Sequence, residues 1–237
     1  MIIRGKGNSS IIINGSVSGT IVNGDLIKGG QNAAGNRIIG SGKEKTENRS
    51  TSAFSELYLV GPIDVEFVRS EHFDVKVRGD DNLVQYVSVE HRGATLHLGF
   101  THDVSFSTSA PLRVLATGPT VDAVHIVGSG DVQLRDLKQP HLSIAIQGSG
   151  DVEADGRVDR LDVGINGSGD VDAAELEAAN VTVRISGSGD VEVNATTSIN
   201  AMLNGSGDLR VHGEPSGQHV VANGSGDVKF RSAKPSR

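Results

Sequence analysis

Gly128-Ser129-Gly130-Asp131 recurs as Gly148 to Asp151, Gly167 to Asp170, Gly187 to Asp190, Gly205 to Asp208 and Gly224 to Asp227. The first glycines of successive copies lie 20, 19, 20, 18 and 19 residues apart. Outward from Gly148, Leu142, Ile144 and Ile146 alternate with Ser143, Ala145 and Gln147; beyond Asp151, Val152 and Ala154 flank Glu153. Around Gly187 to Asp190 the same places hold Val181, Val183, Ile185, Val191 and Val193. Strict alternation over short runs marks strands with one buried face. Each copy therefore reads as two short strands joined at a glycine corner, with a connection of variable length to the next.

A unit this short cannot bury its apolar face alone, and a fixed period implies units that stack on one another. The expected architecture is all-β: a right-handed parallel β-helix of about 19–20-residue rungs, the hand following from the rule for parallel crossovers. Inward rows of Val, Ile, Leu and Ala suit a narrow interior. Gly128, Gly148, Gly167, Gly187, Gly205 and Gly224 supply positive φ or close backbone approach at the corners. Asp131, Asp151, Asp170, Asp190, Asp208 and Asp227 form a vertical row, each expected to tie down its own corner through local amide bonds. A row of carboxylates also invites cations, but calcium-binding solenoids use a different glycine pattern.

The 237 residues carry a net charge of -7, 31 glycines, no cysteine and no tryptophan. Zero cysteine excludes disulfides and thiolate metal sites. The acidic balance and lack of a basic patch argue against nucleic-acid binding. No run approaches the ~18 apolar residues of a membrane span. Met1 to Gly7 lacks the apolar core of a secretory signal, which implies a cytoplasmic protein, a mature or trimmed form, or another export route.

The organisation follows from composition. Residues 1–40 form a small β extension, in which Ile11-Ile12-Ile13 precedes Asn14-Gly15 and Thr20-Ile21-Val22 precedes Asn23-Gly24, a tight-turn signal. Arg37-Ile38-Ile39 is one further short strand. Ser41 to Ser52 holds no apolar residue and reads as a linker. Residues 53–231 form the main domain. Its first part, 53–120, holds five of the six Phe and both Tyr and reads as wider early coils or a cap; 121–231 holds the rungs. Residues 232–237 are a tail; Arg231 before it and Lys234 and Pro235 within it discourage edge pairing. Asp80-Asp81-Asn82 before Leu83-Val84 predicts a helical turn with an Asp cap.

Phe54-Ser55-Glu56-Leu57-Tyr58-Leu59-Val60-Gly61, Val77-Arg78-Gly79-Asp80-Asp81-Asn82-Leu83 and the repeated Gly-Ser-Gly-Asp-Val resemble the head GIN domain family (DUF2807), the auto-transporter adhesins. The resemblance covers residues 53–231. It implies a right-handed parallel β-helix without enzymatic activity, and a cell-envelope location that conflicts with the missing signal.

No catalytic motif competes with this reading. Gly-Ser-Gly-Asp is not a nucleophile elbow, Gly40-Ser41-Gly42-Lys43 is not a phosphate loop, and no His-Glu-x-x-His is present. His91, His97 and Asp103 can approach one another on neighbouring strands. Glycoside cleavage needs two carboxyls in unlike environments, and identical rungs supply like ones. The sequence thus implies no cofactor, no metal and no catalytic residue. It points to a structural or adhesive rod with a protein or glycan ligand, and to a homo-oligomer formed through strand addition by residues 1–40. A cytoplasmic self-assembling scaffold and a polysaccharide-active β-helix enzyme are the alternatives.

Overall fold

The computed structural model of the chain describes residues 19–22, 25–28, 37–101, 105–108 and 110–232. Ile11-Ile12-Ile13, Asn14-Gly15, Asp103, Lys234 and Pro235 lie outside them. β1 (Gly19–Val22) and β2 (Asp25–Lys28) pair antiparallel, with Val22 opposite Asp25. β3 (Arg37–Ile39) is the short strand expected there.

Residues 41–52 are not a structureless linker: Glu44–Arg49 forms β4. Glu44, Lys45, Glu47 and Arg49 disguise it, because an edge strand with little to bury needs no apolar residues and benefits from charge. Next come β5 (Glu56–Val60), β6 (Asp64–Arg69), β7 (Asp74–Asp80), a 3-10 turn at Val84–Tyr86, β8 (Val87–Arg92), β9 (Thr95–Phe100), β10 (Ser105–Ser107) and β11 (Arg113–Gly118). The helical turn is present, but Leu83 stands at its N-cap and no side chain caps it. Asp80 is buried and instead accepts the Gly42 N–H at 2.7 Å and the Ala110 N–H at 3.3 Å, pinning the entry to β4.

The solenoid consists of β12 (Ala123–Gly128), β13 (Val132–Gly148), β14 (Val152–Gly167), β15 (Val171–Gly187), β16 (Val191–Gly205), β17 (Leu209–His212), β18 (Gly217–Gly224) and β19 (Val228–Arg231). All of these stack in parallel, so consecutive corners lie directly above one another. The variable connections turn out to be strand as well: β13 to β15 run unbroken from one corner to the next, bending where the register slips, as between Leu134 and Leu137. A third inward run results, with Gln139, Val158, Ala178 and Ala195 in one column.

Alternation sends every second residue into the core, where equivalents stack. Leu57, Val124, Ile144, Val163, Val183 and Ala201 form one buried column; Leu59, Ile126, Ile146, Ile165, Ile185 and Leu203 form the next. Gln139 is buried yet satisfied, donating to the Val121 and His141 carbonyls at 2.6 Å and accepting the Val121 N–H at 3.0 Å. It fastens the first rung to the loop that enters it.

Residues 53–120 are a cap built on one further rung. β5 and β6 lie parallel under β12 and β13. Below them β9 and β11 still lie parallel to β5 and β6, and antiparallel pairing follows: β8 on β9, β7 on β11 and β4 on β7. Phe54, Phe67 and Phe73 close the interior, with ring centroids 6.3 Å apart for Phe54–Phe67 and 5.3 Å for Phe54–Phe73. Larger side chains are needed here because the last inward row has no neighbouring rung to pack on. Replacing the fully buried Phe67 by Ala is expected to cost about 3–5 kcal/mol in urea unfolding; a loss below about 1 kcal/mol contradicts a packed cap.

Candidate functional site: the corner ladder and the outward rows

Where the chain turns a corner, its backbone groups leave the plane of the sheets and the regular ladder lacks acceptors. The first glycine of each copy has φ between 136° and 153°, a region that side chains other than glycine's disfavour. Its carbonyl accepts the serine N–H of the following rung, for example Ser188 N–H to Gly167 O at 2.9 Å. The second glycine is needed for closeness: a Cβ at Gly189 would lie 2.0 Å from Gly169 O.

The fourth position completes the arrangement. Each aspartate carboxylate accepts the backbone N–H of the aspartate one rung later. Asp131 takes Asp151 at 3.0 Å, Asp151 takes Asp170 at 2.8 Å, Asp170 takes Asp190 at 2.7 Å, Asp190 takes Asp208 at 2.8 Å and Asp208 takes Asp227 at 2.9 Å. The bonds therefore run between rungs, not within one corner as expected from isolated turns. Stacking brings the next N–H within reach, and a single turn gives no hint of it. Asp64 starts the ladder, accepting from Asp131 at 3.2 Å. Its corner, Gly61-Pro62-Ile63-Asp64, keeps only the first glycine and the aspartate. A glycine and an aspartate three apart, between two alternating runs, are the signal that could have revealed it.

All twelve corner glycines and aspartates singled out in sequence thus come together in two straight rows. From Asp64 to Asp208 the carboxylates repeat one backbone hydrogen bond, but their charged surroundings differ along the row. Arg210 lies 3.6 Å from both Asp190 and Asp208, and Lys229 lies 3.2 Å from Asp227, so cationic side chains serve the far end of the row. Among the described residues no three carboxylate or imidazole groups converge on a metal-sized site. His91 and His97 do not meet: His91 contacts Thr51 and Ser52, while the His97 ring stacks on Tyr58 at 4.9 Å. They sit on opposite faces of the hairpin, since His91 opposes Leu96 and His97 opposes Glu90. Burial, helped by Arg92, pushes the His97 imidazole below its usual pKa and favours the neutral ring.

Sequence reasoning missed a second corner. Arg135 reaches one rung along to Glu153 at 2.8 Å and Asp155 at 3.0 Å. These contacts, Glu153 first, raise its pKa. Asp136 is left-handed (φ 57°) and donates its N–H to Asp155 at 2.7 Å. Gly156 allows the tight bend, since a Cβ there would lie 2.2 Å from Leu137 O. A concavity of about 700 Å³ opens beside it, lined by charges of both signs. Opposite charges about one period apart, Arg135 and Glu153 or Arg157 and Glu177, were the available signal.

The broad outward face before the corners is flatter and less charged. Gln147, Asn166, Ser186, Asn204 and Asn223 stand in one row, with Asn223 Nδ2 donating to Asn204 Oδ1 at 3.2 Å. Beside it run His97, Tyr58, His125, Ala145, Gly164, Arg184 and Met202. On the third row Asp162 is partly buried, which opposes its charge, but donors from Arg160, His141 and Thr182 outweigh this and lower its pKa.

These features define a parallel β-solenoid with hydrogen-bonded glycine–aspartate corners. The model of the family described as "Putative auto-transporter adhesin, head GIN domain" (DUF2807) matches residues 53–215, and the chain belongs to that family. A "putative adhesin" from Bacteroides fragilis NCTC 9343, known from its crystal structure, is 24% identical with a TM-score of 0.65, and the match covers 82% of this chain and 100% of that one. Two proteins of Parabacteroides distasonis ATCC 8503 are each 22% identical over 82% of this chain. One is a "putative adhesin" (TM-score 0.49, 100% of its chain) and the other a "Putative lipid binding protein" (TM-score 0.47, 99% of its chain). No protein of curated description matches the chain.

Two outcomes are expected. Asp170→Ala strands the Asp190 N–H and should cost about 1–2 kcal/mol, whereas Asp227→Ala, with no later rung described, should cost less than about 0.5 kcal/mol; equal losses in urea melts contradict the ladder. Asp162, with its lowered folded pKa, contributes stability above the ordinary carboxylate range that is lost as pH falls through the folded value. The stability gap between the wild type and Asp162→Asn should therefore narrow from pH 7 to pH 3; a constant gap contradicts the assignment.

Proposed function

We propose that the chain is a non-enzymatic, adhesion-type rod that binds through its outward rows and associates with itself through residues 1–40. The observation that carries this reading is the register: equivalent side chains stand directly above one another for rung after rung. Such a face repeats its donors and acceptors along a line at a spacing of about 4.8 Å. The amide row from Gln147 to Asn223 offers both donors and acceptors without charge, which suits a hydroxyl-rich glycan or an extended polypeptide. Membership of a family described by adhesion supports a binding role. The carboxylates from Asp64 to Asp208 already accept a backbone N–H from the next corner, a structural role that weighs against their serving glycoside cleavage.

Immobilised full-length chain presented with a panel of polysaccharides and extracellular proteins tests the reading. The expected result is at least one binder whose affinity falls roughly tenfold or more in the double variant Asn166→Arg, Asn204→Arg, about 1.4 kcal/mol per factor of ten. No binder, or one indifferent to both substitutions, contradicts it. Self-association is tested by light scattering: deleting residues 1–36, which spares β3, should lower the solution mass.

A further inference from the structure

Six successive rungs, from β5–β6 upward, each present the same upper surface to the next. The seventh, formed by β18 and β19, pairs on that side with no strand among the described residues. Its inward positions are correspondingly open: Phe230 is 44% exposed, Ala222 is exposed, and Val220 and Val228 are half-buried. Gly224 O and the Asp227 carboxylate occupy the places that on lower rungs accept the next serine and aspartate N–H groups. The two ends of the rod also differ in charge. β4, an edge at the cap, carries four charged residues in six, whereas β18 carries no Asp, Glu, Lys or Arg. Charge on an edge discourages strand addition, and β18 lacks it.

The lower rungs show what fits such a surface. It is a parallel strand with apolar residues at alternate positions, running into Asn, Gln or Ser and then a glycine. The glycine is obligatory, because a Cβ at Gly224 or Gly205 would lie 1.9 or 2.0 Å from the carbonyl below. One further stretch of this chain has that pattern: Ile11-Ile12-Ile13-Asn14-Gly15-Ser16. Its last four residues are those of Ile165-Asn166-Gly167-Ser168, and all but the first are those of Leu203-Asn204-Gly205-Ser206. Val22-Asn23-Gly24 is a partial match, but β1 is already paired with β2.

We propose that Ile11–Ser16 of one copy adds as a parallel strand to β18 of a second copy, joining rods end to end. In register, Ile11 covers Val220, Ile13 covers Ala222, Asn14 extends the amide row above Asn223, and Gly15 lies over Gly224. The match ends at Ser16. Val17 stands where the second glycine of a corner belongs, and its Cβ has no room over Gly226. The segment therefore covers β18 and leaves β19, whose Lys229 and Arg231 keep that edge solvated. Joining unlike surfaces is heterologous, so the products are rings or filaments and not closed two-fold dimers. The inference rests on the self-association reading above and adds its site.

The chain has no cysteine, so introduced thiols report cleanly. Full-length Asn14→Cys mixed with full-length Asn223→Cys under mild oxidation should give a disulfide-linked heterodimer, reduced at least fivefold by adding Gly15→Val to the first chain. In light scattering, Gly15→Val and Val220→Lys should each bring the mass down to that of the chain lacking residues 1–36. If that deletion leaves the mass unchanged, self-association itself fails. If the deletion lowers the mass but Gly15→Val and Val220→Lys do not, the extension associates elsewhere and this inference alone fails. A monomeric Asn14→Cys, Asn223→Cys double variant that closes an intrachain disulfide places the strand on its own rod and overturns the second copy.

Discussion

Backbone contact at the corners governs this molecule. Successive rungs approach so closely there that a single added carbon would lie about 2 Å from a carbonyl oxygen, at Gly148 as at Gly226. No side chain tolerates that distance, so the corners must be glycine, and glycine pays a conformational entropy penalty on ordering. The aspartate offsets it by accepting an N–H that would otherwise be lost from the ladder. Because acceptor and donor belong to different rungs, each corner is held by its neighbours. Stability is then a nearest-neighbour property, as in other stacked repeats.

The ends follow from the same constraint. A stack in which every rung completes the previous one leaves an unfinished surface at both extremities. At the cap end the chain solves this with antiparallel strands, charged edges and three phenylalanines. Among the described residues β18 and β19 form the other extremity, with Val220, Val228 and Phe230 at inward positions and the corner acceptors still presented. That asymmetry gives the rod a direction, and direction is what head-to-tail association requires.

The fold was legible because period and alternation repeat. Inward columns such as Ile146, Ile165 and Ile185, and both glycine positions, could be placed from spacing alone. What escaped was whatever has no repeat to expose it. β4 hid behind Glu44, Lys45 and Glu47, since an edge strand is free of the apolar alternation that marks a buried one. The Gly61 to Asp64 corner hid because Pro62 and Ile63 replace Ser and Gly. Asp170 was seen as a row member, but its partner, the Asp190 N–H, is twenty residues away and becomes visible only once the rungs are stacked. The outward rows lay in the sequence as unremarkable Asn and Ser; register made them a face.

Amide hydrogen exchange at the corner aspartates tests the central claim most directly. The account predicts that the backbone N–H groups of Asp151, Asp170, Asp190, Asp208 and Asp227 exchange slowly at neutral pH, with protection comparable to the strand amides beside them. Exchange at the rate of open, solvent-bonded turns would show that the carboxylates do not reach from rung to rung, and the ladder would be contradicted.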